Sequence, residues 1–244
     1  HFLLFLTNNE VNLMGGFNMK KILVVVTNIS KYENIERPTG LWLGEAVHFV
    51  HVMENAGYKI DYVSPRGGYT PIDPHSLEKD YMTPIDWKYY TNRNFMNKLG
   101  NTLSPDEINP KEYSVIYYTG GHGVIWDFPN DLKMQKIAKQ IYENRGIVSA
   151  VCHGLAGLLN IKLSNGKNLI DGIKVTGFSN SEEIAAGLDK LVPYLTESEL
   201  IKRGAIYIKG TDWQEFAVSD SRVVTGQNPA SGAAVAREVL KALN

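Results

Sequence analysis

The sequence predicts a single doubly wound α/β domain, and three observations carry that prediction. Short, nearly unbroken apolar runs such as KILVVVT and SVIYY alternate with longer amphipathic stretches, the pattern of parallel strands that helices bury on both faces. The 244 residues are 43% apolar and 21% charged, which is enough chain and enough apolar surface for one large core. No internal repeat or low-complexity tract divides it.

Taken in order, the first eighteen residues, HFLLFLTNNEVNLMGGFN, differ in character from the rest of the chain, and MKKILVVVTN then leads into a first strand. Residues 1–18 are therefore read as an upstream segment outside the fold, and 19–244 as the domain. The apolar run from Phe2 to Leu6 is far shorter than a signal-peptide core and has no basic segment before it, so neither a signal peptide nor an anchor is assigned. GLWLGEAVHFVHVMENAG is a helix and YKIDYVSP a strand. From residue 65 to 110 the rhythm breaks into a polar stretch rich in Pro, Asp, Asn and Tyr, with helical candidates only at 86–98 and 105–107. An insertion of this length after a strand is expected to form a lid or rim over the functional edge of the sheet. SVIYYTGG resumes the strands, DLKMQKIAKQIYENRG is a helix, and GIVSAV is a strand feeding a helix at HGLAGLLN. IKVTGF, AIYIKG, FAVSD and RVVTG supply four further short strands. PASGAAVAREVLKAL closes the chain as a helix with Pro229 near its start.

Several function classes lack support. A net charge of -1 provides no electrostatic footprint for nucleic acid or an anionic membrane. The single cysteine cannot form an internal disulfide and is compatible with a reducing cytoplasm. No G-x-G-x-x-G follows the first strand, so no flavin, nucleotide or other cofactor is assigned. His48 and His51 stand three apart on one predicted helix, but without a Cys pair or H-E-x-x-H no metal is assigned either.

The informative stretch is SAVCHGLAGLL. It puts Cys152 at a strand-to-helix turn on the carboxyl edge of the sheet, where open parallel sheets bind ligands. A helix start there favours thiolate over thiol, and the arrangement imitates a hydrolase nucleophile elbow with cysteine in place of serine. The alternative is packing, since a free cysteine is commonly a small buried hydrophobe. Its place at the turn, beside His153 and before Gly154, favours a nucleophile.

Five separated motifs carry a resemblance: TGLWLGEAVHFVHVMENAGYKIDYVSPRGG, YYTGGHGVIWDFPND, AVCHG, NLIDGIKVTGFSNSEE and VVTGQNPASGAA, in that order. Together they resemble the ThiJ/PfpI superfamily, class I glutamine amidotransferase-like, and within it the stress-inducible chaperone-glyoxalase (glyoxalase III) branch. The resemblance implies a flavodoxin-like sheet and a homodimer. It also implies Cys152 as nucleophile, Glu45 as the acid approaching the sulfur, His153 as its histidine, and Asp171 as the carboxylate orienting His153. Gly120 and Gly121 would line the oxyanion side, with His122 in the pocket or capping a loop. The implied reaction is cofactor-independent conversion of methylglyoxal and water to lactate, with glycated proteins as related substrates. Three alternatives stand beside it: a cysteine peptidase or amidase, a stress holdase binding unfolded proteins through exposed apolar surface, and an oxidation sensor built on an accessible, acidic thiol.

Overall fold

The computed structural model describes residues 21–244; the expectation for residues 1–18 lies outside the described residues. In chain order the elements are β1 (Lys21–Val25), α1 (Leu43–Asn55), β2 (Ile60–Val63), α2 (Pro84–Tyr90), α3 (Arg93–Gly100), β3 (Tyr113–Tyr118), α4 (Val124–Asp127), α5 (Leu132–Glu143) and β4 (Ile147–Val151). A 3-10 helix at Cys152–Leu158 comes next, then β5 (Lys174–Val175), α6 (Asn180–Ala185), α7 (Thr196–Lys202), β6 (Ile206–Tyr207), β7 (Ala217–Asp220), β8 (Val223–Gly226) and α8 (Gly232–Leu243).

The main sheet has the order β2-β1-β3-β4-β8-β7. Its first five strands run parallel, and β7 lies antiparallel to β8 at one edge. β5 and β6 pair separately. The α/β doubly wound architecture expected from the sequence is the one observed. The period of two along each strand explains it. Ile22, Val24, Val115, Tyr117 and Val224 face α1 and α8, packing on Val47, Phe49, Val50, Val235 and Val239. Leu23, Val25, Ile116, Tyr118 and Val223 face the other way, onto Met134, Ile137 and Ile141 of α5. These side chains are thus taken from water, at about 1.5–3 kcal/mol for each fully buried large aliphatic. The chain leaves β1 toward β2 on one side and β3 on the other, so the strand order reverses there, opening a crevice at the carboxyl ends.

The insertion divides into two parts. Its first half straps onto the segment before α1: Leu41 N–H donates to Pro71 C=O at 2.8 Å, Asp73 N–H to Leu41 C=O at 2.9 Å, and Thr39 Oγ1 to Asp73 Oδ2 at 3.0 Å. Its second half, α2 and α3, packs on the outer side of α1 through Phe95 and Leu99. The α2 start comes from a Thr83/Asp86 capping box with Pro84 in the first turn. The expected rim is therefore the stretch up to Thr83, and the two helices buttress it. HGLAGLLN forms a 3-10 helix rather than an α-helix. Among the described residues no helix is long and apolar enough to cross a membrane.

Candidate active site

Cys152 is the first residue after β4 and adopts φ 58°, the left-handed region, which is rare for a side chain with a Cβ. Holding it there costs about 1–2 kcal/mol. The conformation turns the thiol out of the strand line and into a cavity of about 570 Å³. The cavity walls include Trp42, Tyr81, His122, His153, Phe178 and Trp213.

Glu45 is completely buried, near the start of α1. The helix start is pinned by Tyr117, whose hydroxyl donates to the Glu45 C=O at 2.8 Å, and whose ring stacks on Phe49 at 3.7 Å. Neither Glu45 carboxyl oxygen has a well-formed hydrogen bond. Burial pushes this carboxyl up to about 8, against the Cys152 thiol and the Gly120 N–H, which favour its ionised form. At neutral pH it is mostly protonated. Gly120 makes the arrangement sterically possible, because a Cβ there would overlap Glu45 Oε2 and crowd Cys152 Cβ at 3.0 Å. Gly121, at φ 96°, continues the turn with no room for a side chain against the Gly40 C=O.

His153 follows Cys152 directly, and its Nδ1 lies 3.4 Å from Cys152 Sγ. Its Nε2 is 2.5 Å from Glu183 Oε2. A carboxylate only accepts hydrogen bonds, so His153 donates to Glu183 from Nε2, and its Nδ1 faces the thiol. The same carboxylate accepts from His122 through Oε1 at 2.7 Å. The two imidazole centroids are 4.0 Å apart, Phe178 packs on His153 at 4.2 Å and Tyr32 stacks on His122 at 5.6 Å. Burial opposes ionisation of Glu183, but His153 and the two donated hydrogen bonds outweigh it and hold the carboxyl well below its usual range. Burial, with His153 adding to it, lowers His122 to about 4 and keeps it neutral.

The Asp171 expectation requires correction. Asp171 is exposed, in the turn before β5 and against Gly204, and the carboxylate on His153 is Glu183. The reason is the short helix α6. Ser179 caps it, accepting from Glu182 N–H while the Glu182 carboxylate accepts from the Ser179 N–H and hydroxyl. Glu182 Oε1 also accepts from Trp213 N–H and Asn228 Nδ2. With Glu182 tied down in this way, the next residue is aimed at the two histidines. The sequence signal was the S-x-x-E capping box of SNSEE, which fixes a helix start right after the TGF strand.

One further expectation shifts. The thiol is not made acidic: burial pushes it well above the usual range, and Cys152 is only 3% exposed. The acidity that the oxidation-sensor reading assumes is therefore missing, while the sulfur does open on the cavity. His48 and His51 do not converge, because His48 turns to Asp86 at 3.0 Å and His51 to Asn55. The groups that do converge are His122, His153 and Glu183, whose ligating atoms all lie within 4.8 Å of one another.

A thiol opening on a cavity, an imidazole against it and a fully buried carboxyl beside it suit covalent chemistry on a small carbonyl. The comparisons with known proteins agree in kind. The glutathione-independent glyoxalase HSP31 of Saccharomyces cerevisiae is 33% identical over 235 residues, 92% of this chain and 98% of that protein. The crystal structure of glyoxalase III from Candida albicans superposes with a TM-score of 0.85 at 33% identity, covering 92% of this chain and 98% of that one. Rapid Encystment Protein 24 KDa of Francisella tularensis gives 0.89 at 38% identity, covering 93% and 100%. The model of the DJ-1/PfpI family matches residues 39–242, a span that takes in Glu45, His122, Cys152, His153 and Glu183, and the chain belongs to that family.

Proposed function

We propose that this protein is a glutathione-independent glyoxalase that converts methylglyoxal and water to lactate, with Cys152 as nucleophile. The observation that carries this reading is the fully buried Glu45 carboxyl beside the thiol, pushed up to about 8 by burial. Cysteine, histidine and acid alone would serve an amidase equally well. Moving hydrogen between two adjacent carbons needs one more group, able to accept and return a proton near neutral pH, and a carboxyl titrating at about 8 does both.

The geometry supports the following order of steps. His153 Nδ1 takes the thiol proton as Sγ adds to the aldehyde carbon, and the carboxylate of Glu183 neutralises the charge His153 acquires. The proton passes to the former aldehyde oxygen, giving a hemithioacetal. Glu45, as carboxylate, removes the hydrogen from that carbon to give an enediolate and returns it to the neighbouring carbon, while the hydroxyl proton passes from the first oxygen to the second, leaving a lactoyl thioester. Water, activated by His153, cleaves the thioester, releasing lactate and the thiol. Backbone N–H groups at Gly121 and His153 would hold the developing oxyanions. The relatives named as glyoxalases support the same reading.

Purified protein incubated with methylglyoxal and no glutathione is expected to produce lactate, and Glu45→Gln to accumulate a covalent adduct of the substrate's mass without releasing lactate. Turnover by Glu45→Gln at more than about a tenth of the wild-type rate would remove Glu45 from the proton shuttle.

A further inference from the structure

We propose that His122, His153 and Glu183 form a binding site for a divalent transition-metal ion of the zinc type, and that its occupation switches the thiol off. The donor set comprises two imidazole nitrogens and a carboxylate, the ligands such ions prefer. It is also preassembled. His153 and Glu183 are 1% and 2% exposed, both imidazole Nε2 atoms already aim at one carboxylate, and aromatic neighbours hold both rings. Metal–ligand bonds of about 2.0–2.1 Å place tetrahedral donors roughly 3.3 Å apart. The two histidines are 2.7 and 2.5 Å from separate oxygens of the carboxylate and all three donors lie within 4.8 Å of one another, so side-chain adjustments on the order of an ångström bring them to one ion. Both histidines line the cavity, which provides the entry path and leaves a fourth position open. The ligands come from three distant segments, so no spacing in the sequence reveals them.

The consequence for the thiol lies in the tautomers. Nε2 of each histidine now carries the proton donated to Glu183; to bind a metal it must offer its lone pair instead, and the proton moves to Nδ1. In His153 that proton then points at Cys152 Sγ, 3.4 Å away. The nitrogen that would accept the thiol proton has become a donor, and Glu183 is occupied by the ion. The binding claim stands on geometry alone, whereas the inhibition rests on the glyoxalase reading.

The test therefore measures binding separately from turnover. Metal-stripped wild-type protein is titrated with Zn²⁺ by calorimetry, alongside Cys152→Ala and His122→Asn, with circular dichroism to verify that both variants fold. The expected result is one tight site in wild type, retained in Cys152→Ala within about threefold. In His122→Asn the affinity should fall by at least the roughly 10–100-fold that altering a ligand's surroundings alone produces. Co²⁺ bound at this site should show tetrahedral d–d bands without thiolate charge transfer. Undiminished binding in folded His122→Asn, loss of binding in Cys152→Ala, a thiolate charge-transfer band, or no binding to wild type would each overturn the site. Lactate formation by wild type should fall along the same Zn²⁺ saturation curve and return with a chelator. Full activity at Zn²⁺ saturation would overturn the inhibitory step while leaving the site. A protein inactive on methylglyoxal without any metal would refute the glyoxalase reading, and the calorimetry would still decide the site.

Discussion

Glu183→Gln is the substitution on which the site's logic turns. The carboxylate accepts one hydrogen bond from each of two imidazoles. An amide has one acceptor oxygen and one NH₂, so it can accept from only one ring and must donate to the other. If the amide oxygen faces His153, a charge-assisted bond of about 1.5–3 kcal/mol becomes a neutral one of about 0.5–1.5 kcal/mol, and the imidazolium loses its counter-charge. If the NH₂ faces His153, the ring must place its proton on Nδ1, where it cannot take the thiol proton. The first outcome predicts a loss in kcat/KM of about 10²-fold, and the second approaches the roughly 10⁴-fold that a wrong tautomer causes in a related triad. The range is thus about 10² to 10⁴.

The assay is steady-state lactate formation, with ¹⁵N NMR of labelled histidine to read the tautomer and a denaturation curve to verify folding. Asp171→Asn is the control, because an exposed carboxylate away from both histidines is expected to leave kcat/KM within about twofold of wild type. A well-folded Glu183→Gln that keeps more than about a tenth of wild-type kcat/KM would refute the assignment of His153 as the base. So would a loss with Asp171→Asn as large as with Glu183→Gln.

The same geometry has consequences for stability and packing. Glu45 titrates at about 8 in the fold against about 4.5 unfolded, so the native state binds its proton more tightly, and the associated stability is present below pH 4.5 and lost as pH rises through 8. Glu45→Gln should therefore match wild type at pH 5 and exceed it by roughly 2–5 kcal/mol at pH 9 in urea denaturation; a gap that does not widen with pH would mean the carboxyl is not buried as described. Gly120→Ala should cost about 1–3 kcal/mol of stability by overpacking and at least about 10² in activity, because the added methyl displaces Glu45 Oε2. Wild-type kinetics in a folded Gly120→Ala would contradict the close approach of that carboxyl.

Much of the fold was legible because its determinants are local. Runs such as ILVV and VIYY can only be strands buried on both faces, and the helices between them show their apolar stripe within a dozen residues. Cys152 was legible for a related reason: a strand, a turn and a glycine-rich stretch lie adjacent in the chain. What the sequence concealed is what depends on direction. Asp171 and Glu183 both follow the thiol within a few dozen residues, both stand beside a local structure signal, and spacing does not choose between them. The choice is made by the side-chain ties of Glu182 to Ser179, Trp213 and Asn228, contacts that exist only once the chain is folded.

The acidity of the thiol was concealed for the same reason. A helix start favours thiolate, but that effect is worth at most about 2 kcal/mol, and complete burial beside a carboxyl outweighs it. The sign therefore reverses, and the consequence is mechanistic. A thiol that is reluctant to ionise alone cannot depend on a standing thiolate population; it needs a base in contact at the moment substrate arrives. In the proposed mechanism that base is His153, held by Glu183, and the thiol is then sensitive to anything that moves one proton from Nε2 to Nδ1 of His153.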